Sequence, residues 1–180
     1  MDPAQERSNT LAALQAAVTQ TEQSINPRLV PPEGISFGYA LRGARDTGSV
    51  AAASGGIRKA ADGSAGSVSC SFGTAEPVVP VILTIMKFDP ALRSAAILQY
   101  SGRALRVFEN DLFLECALLD AASSQKGIST MDWGIASCCK EEIPDVICRK
   151  GATAEDSRII LPGEGPADVL NNIIICSNRI

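Results

Sequence analysis

The run Val78-Val79-Pro80-Val81-Ile82-Leu83-Thr84-Ile85-Met86-Lys87-Phe88 constrains the fold more than any other stretch of this chain. In an extended backbone Val81, Leu83 and Ile85 share one face, and Ile82, Thr84, Met86 and Phe88 share the other. Both faces are mainly apolar and β-branched residues are dense. That is the pattern of a strand buried on both sides. Pro80 has no N–H to give a ladder, so pairing is expected to begin after it. Ile82, Leu83 and Ile85 are the expected core.

The rest of residues 78–120 is read around that strand. Asp89-Pro90 ends it and suits a helix start, with Asp as N-cap and Pro at the first helical position. Residues 91–100 are then a helix closed by Ser101-Gly102. The alternative makes 95–100 a strand with Ser101-Gly102 as a hairpin turn. Residues 104–108 and 112–119 flank the polar Glu109-Asn110-Asp111 and read as a hairpin, against a helix over the second run capped by Asn110.

Toward the N-terminus, Leu11, Leu14, Val18, Thr21 and Ile25 recur at three- and four-residue spacing. They share one face of a helix running from Asn9 or Thr10 to about Ile25, after a frayed start. Asn26-Pro27 ends it. A lone helix of this length is marginal in water and needs a partner surface. That surface is either the chain's own core or a neighbouring subunit, and Leu11, Leu14, Val18 and Ile25 are the candidate subunit contacts.

Pro27, Pro31, Pro32 and Gly34 mark an extended connector. Residues 35–41 fit one short strand. Residues 44–67 are filled by Ala, Gly and Ser and read as a flexible linker. Up to residue 67 six acids face six bases, so this segment is not the basic tail of a protein that packages nucleic acid by charge. Further on, 67–72 is a strand, 132–142 a short helix, 146–149 a short apolar piece, and 151–157 a polar loop. Residues 158–161 form a strand, 162–166 a turn and 172–176 a terminal strand.

Histidine is absent, which removes Ser-His and Cys-His nucleophile systems and the commonest general base. The six cysteines are Cys70, Cys116, Cys138, Cys139, Cys148 and Cys176. With no apolar leader segment they read as reduced, buried thiols in a cytoplasmic setting. Cys138, Cys139 and Cys148 lack metal-ligand spacing. Asp111, Glu115 and Asp120 are a candidate acid/base group, but nothing in their spacing brings them together. Gly55-Gly56-Ile57-Arg58-Lys59 fits no phosphate-loop pattern and is read as linker.

The net charge of −4 does not support general phosphate-backbone binding, although it leaves a local basic patch open. No apolar run approaches the roughly 20 residues of a membrane span. The expectation is an α+β protein: a β-rich domain over 67–180, preceded by an amphipathic helix and extended arm over 1–66. Arm, β-rich domain and missing histidine together suggest a self-assembling structural subunit of capsid, matrix or filament type. It would form homo-oligomers through the helix and arm, without a cofactor or metal. The alternatives are a small enzyme using a cysteine or a carboxylate pair, and a regulatory binding module.

Overall fold

The computed structural model describes residues 2–61, 68–120 and 142–180. Among them, strands β1 (Ser36–Ala40), β2 (Val50–Ala53), β3 (Cys70–Phe72), β4 (Ser94–Gln99), β5 (Cys116–Asp120), β6 (Val146–Lys150) and β7 (Arg158–Gly163) form one sheet. Their order is β3-β2-β1-β4-β7-β6-β5. Neighbours pair antiparallel except β5 and β6, which run parallel. The helices are α1 (Pro3–Ser24), α2 (Val78–Phe88), α3 (Gly102–Arg106) and α4 (Pro166–Arg179). α1 and α4 cover one face of the sheet and α2 the other. No described helix is long and apolar enough to cross a membrane.

The segment expected to be an arm belongs to this sheet. β1 pairs with β2 on one side and with β4 on the other. Residues 1–66 and 67–180 therefore do not separate into an arm and a domain. The apparent linker forms β2 because its alanines suit a crowded place: Val50, Ala51, Ala52 and Ala53 are all buried, with helices on both faces. Small side chains let those helices approach closely. Of the stripe proposed to face a neighbouring subunit, Leu14, Val18 and Ile25 are instead buried in this chain's own core, and Leu11 is partly buried beside them. The apolar surface they need is supplied by Phe37, Leu98, Val169 and Ile173.

α1 begins earlier than the stripe implies. Asp2 caps it by accepting from the Ala4 N–H (3.2 Å), and Pro3 fits the first turn. Beyond its end, Asn26 Nδ2 donates to Ser177 O (3.3 Å) and Ile180 O (3.4 Å), tying α1 to the end of α4.

The central apolar run is a helix, not a strand. Val78, Val81, Ile82 and Ile85 point into the sheet, while Pro80 and Lys87 are exposed and Leu83 is half-buried between them. A run apolar on both strand faces is equally apolar around most of a helix, so periodicity alone does not separate the two. Pro80 sits in the first helical turn, where its missing N–H has no intrahelical partner to lose. Ile82 and Ile85 are buried as expected.

The same ambiguity affects α4, whose Ile173-Ile174-Ile175-Cys176 was expected to be a strand. Val169, Ile173 and Cys176 form its inward face. Asp168 accepts from the Gly165 N–H (3.2 Å), and Pro166 opens the first turn. Residues 94–99 are β4, the strand alternative. The expected strand over 104–108 is α3 followed by a π-helical turn, Val107–Asp111. Strands near 35–41, 67–72 and 158–161 are present as β1, β3 and β7. The helix expected over 132–142 lies almost wholly outside the described residues.

Candidate functional site

β6 ends in Cys148-Arg149-Lys150, and β7 begins at Arg158 after the loop of residues 151–157. The antiparallel register places Arg149 directly opposite Arg158, one rung beyond Cys148 and Ile159. On the other side Arg158 stands opposite Gln99 of β4. Leu119 of β5 is in register with Arg149. One row of side chains, Gln99-Arg158-Arg149-Leu119, thus crosses four strands on the α2 face. The row lies where the parallel strands β5 and β6 end, and the carboxyl end of parallel strands is where open sheets usually bind ligands.

The two arginines are treated differently. Arg158 is almost fully buried and saturated. Its Nε donates to Glu33 Oε1 (2.8 Å) and its Nη2 to Glu33 Oε2 (3.1 Å). Its Nη1 donates to Ser157 O (2.8 Å), to Gln99 Oε1 (3.3 Å) and to Glu155 O (2.5 Å). This two-pronged pair holds the Glu33 carboxyl below its ordinary value, against the smaller upward push of burial. Arg149 has no such two-pronged pair among the described residues, and its Nε is enclosed and makes no hydrogen bond. Burial, and then the neighbouring Arg158 charge, push its pKa down, against a smaller upward pull from the Glu33 carboxylate. A guanidinium removed from water beside a like charge is costly unless an anion joins it.

The surrounding backbone is fixed. Ser157 Oγ accepts from the Gly151 N–H (3.0 Å) and donates to Thr153 O (2.9 Å). A Cβ on Gly151 would lie 2.6 Å from the Asp156 Cβ, so the loop closes only with glycine there. Glu33 is positioned by a second close approach. Gly56 has φ +83°, and a Cβ on it would lie 2.3 Å from the Glu33 carbonyl oxygen. Beside the row is a depression of about 410 Å³ lined by Leu118, Leu119, Lys150 and Gly151. Lys150 Nζ lies 5.7 Å from the Tyr100 ring centre. Larger depressions run along the outer face of α1 (about 620 Å³) and beside Tyr39, Arg42 and Arg93 (about 630 Å³). The first has no charged lining residue, and in the second Glu164 and Asp168 offset the arginines.

The other candidates do not assemble. Burial pushes the Cys70 thiol up to about 11, and those of Cys116 and Cys176 up to about 12. Such thiols are poor nucleophiles near neutral pH. Cys138 and Cys139 lie outside the described residues. Asp111 pairs with Arg179 (3.1 Å), Glu115 is exposed, and the Asp120 side chain is outside what is described. In the Gly55-Gly56 segment, Ile57 is buried against Ile35, Arg58 donates to Pro32 O and Lys59 to Gln23 O. That segment braces the fold and is not a linker.

A family model described as thiamine-phosphate synthase ThiN matches residues 13–175. The bifunctional thiamine biosynthesis protein ThiDN of Methanocaldococcus jannaschii is 25% identical over 154 residues, 84% of this chain and 36% of that protein. The chain thus spans about a third of the length of that curated relative. Among solved structures, the C-terminal domain of phosphomethylpyrimidine kinase matches with a TM-score of 0.82 and 28% identity, covering 95% of this chain and 100% of that one. The C-terminal domain of protein MJ0236 matches with a TM-score of 0.80 at 21% identity, over 96% of this chain and 95% of that one, a likeness of fold. The family match is to biosynthetic enzymes. It overturns the expectation of a structural, capsid-like subunit, which rested on an arm, a β-rich domain and the missing histidine taken together.

Proposed function

This chain belongs to the thiamine-phosphate synthase ThiN family, and on that premise we propose that it forms thiamine phosphate, with Arg149 holding a phosphate group of substrate or product. The observation that carries this reading is the half-buried Arg149 guanidinium, unbonded at Nε, beside an arginine already saturated by Glu33. Thiamine contains a thiazolium nitrogen bonded to a methylene on a pyrimidine. Forming that bond takes no proton from the ring nitrogen, while the group leaving the methylene departs as an anion. The demand is for fixed cations where negative charge develops, more than for a general base. A chain without histidine can meet that demand with arginine, whose charge persists at any working pH. The depression lined by Leu118, Leu119, Lys150 and Gly151 offers apolar surface for a flat ring, with Lys150 as its cation.

A second reading has its own support. The described cysteines are pushed away from neutral titration, and histidine is missing from the whole chain. The same site would then bind thiamine phosphate without turnover. Two measurements separate the readings. Calorimetric titration with thiamine phosphate tests the site, and chromatography of the product from pyrimidine and thiazole precursors tests turnover. Binding that Arg149→Met weakens at least tenfold, together with product formation, supports the synthase. Binding without product supports the second reading. Binding untouched by Arg149→Met removes the site from both.

A further inference from the structure

At the end of the sheet far from Arg149 and Arg158, three loops meet around a depression of about 630 Å³. β1 and β7 end there and β4 begins there, with Ser94 opposite both Tyr39 and Gly163. The wall carries charges of both signs, Arg42 and Arg93 with Glu164 and Asp168, and Tyr39 and Pro90 add apolar surface. These opposite charges do not close on one another: the ion pairs among the described residues are Arg158 with Glu33 and Arg179 with Asp111. Local bonds hold them in place. Arg93 Nε donates to Ala40 O (3.1 Å), and its guanidinium lies 4.8 Å from the Tyr39 ring centre. Asp168 accepts from the Gly165 N–H (3.2 Å). Glu6 Oε1 accepts from the Arg42 backbone N–H (2.9 Å), which fixes the turn after β1. Groups fixed in advance lose little freedom when a ligand arrives.

A purely anionic ligand gains at the two arginines and loses at the two acids, and a purely cationic one does the reverse. A ligand with one charge of each sign finds a partner at both ends. We propose that this depression binds a small zwitterion, a primary ammonium and a carboxylate joined by a short carbon chain. Its carboxylate meets Arg93 and Arg42, its ammonium meets Glu164 and Asp168, and its chain lies against Tyr39 and Pro90. A guanidinium fork matches a carboxylate with two parallel bonds. A carboxylate also brings one negative charge toward the acids, where a phosphate monoester brings nearly two. The site is separate from the Arg149 row and stands without it.

The test is an NMR titration of the isotope-labelled full chain with ε-aminocaproate, caproate and hexylammonium, read at the Gly43 and Gly165 amides that line the depression. ε-Aminocaproate should bind about tenfold more tightly than either singly charged analogue, the worth of one part-buried charged hydrogen bond. Glu164→Gln should weaken ε-aminocaproate about threefold, as for an exposed pair, and should strengthen caproate. Arg42→Gln should weaken caproate and strengthen hexylammonium by similar factors. A loss of structure does not produce this crossed pattern. Arg93→Gln should remove caproate binding, and if that variant does not fold, the two exposed substitutions decide alone. ε-Aminocaproate no tighter than caproate overturns the inference, as does Glu164→Gln weakening all three probes equally. Displacement of ε-aminocaproate by thiamine phosphate also overturns it, because the depression would then belong to the substrate.

Discussion

Arg149 and Arg158 face each other across one rung of the sheet, and among the described residues the Glu33 carboxylate bonds to Arg158 and not to Arg149. The strain of that arrangement falls on Arg149, whose enclosed Nε is unbonded. A site that needs a charge for binding retains it at a cost to the unliganded fold.

Replacing Arg149 by Met should therefore stabilise the ligand-free protein, by roughly 1–2 kcal/mol, because an apolar side chain of similar length relieves both the desolvation and the like-charge contact. Urea unfolding measures this directly. The same variant should lose the stabilisation that added phosphate gives the wild type. A less stable variant would mean that Arg149 is held by contacts favourable in the free protein.

Glu33 gives a pH signature. Its folded carboxyl titrates below the ordinary value of 4.5, chiefly through its bonds to Arg158. Stability from this pair is complete above that ordinary value and is lost as pH falls through the folded value. Thermal unfolding of wild type should weaken below about pH 4.5, and Glu33→Gln should weaken less steeply over that interval. At neutral pH Glu33→Gln should be the less stable protein, since it leaves the buried Arg158 without its counter-charge. Parallel slopes for the two proteins would show that the pair is not coupled to folding.

Removing residues 1–66 should unfold the remainder. The deletion takes α1, β1 and β2 together, exposes the inner edge of β4 and uncovers Phe108, Ile173 and Cys176. Circular dichroism of the fragment should show no cooperative thermal transition. On a smaller scale Leu14→Ala should cost about 2–5 kcal/mol, as a fully buried leucine does. A folded fragment would place α1 outside the core.

The thiols of Cys70, Cys116, Cys148 and Cys176 should react slowly in the native protein. Burial raises Cys70 from 9.0 to about 11. At pH 8 its thiolate fraction falls roughly a hundredfold relative to a free thiol, and labelling slows accordingly. Ellman titration before and after denaturation, with peptide mapping, separates these four from the other two. Rapid native labelling of Cys176 would contradict its burial against α3.

What was legible beforehand follows a physical rule. Positions with one clear periodicity were readable: the stripe through Leu14 and Val18 is a helix face, and residues 35–41 contain β1. Runs such as Val81-Ile82-Leu83 and Ile173-Ile174-Ile175 are apolar in every direction, so neither period shows, and both fit a strand as well as the helix that each forms. Alanines 51–53 carry too little apolar mass to announce a buried strand, because the helices above and below supply the bulk. The site was hidden by sequence distance, although a signal for it existed. Arg149 closes one apolar run and Arg158 opens the next, with only a polar, glycine-led loop between them. Reading that pair of runs as a hairpin places the two arginines on one rung. Glu33 gives no such signal, because nothing local links it to residue 158.

The middle of the sheet has a consequence for how the chain emerges from synthesis. β1, β4 and β7 lie side by side, yet they come from the first, middle and last parts of the sequence. Contacts this distant in sequence form slowly, because long loops must close before they are rewarded. While residues up to about 150 are exposed and β7 is still being made, β4 has one satisfied edge at most. The strand carrying Arg158 closes the second edge of β4 and joins β6 to the sheet, so the middle of the sheet is complete only once that strand has been made.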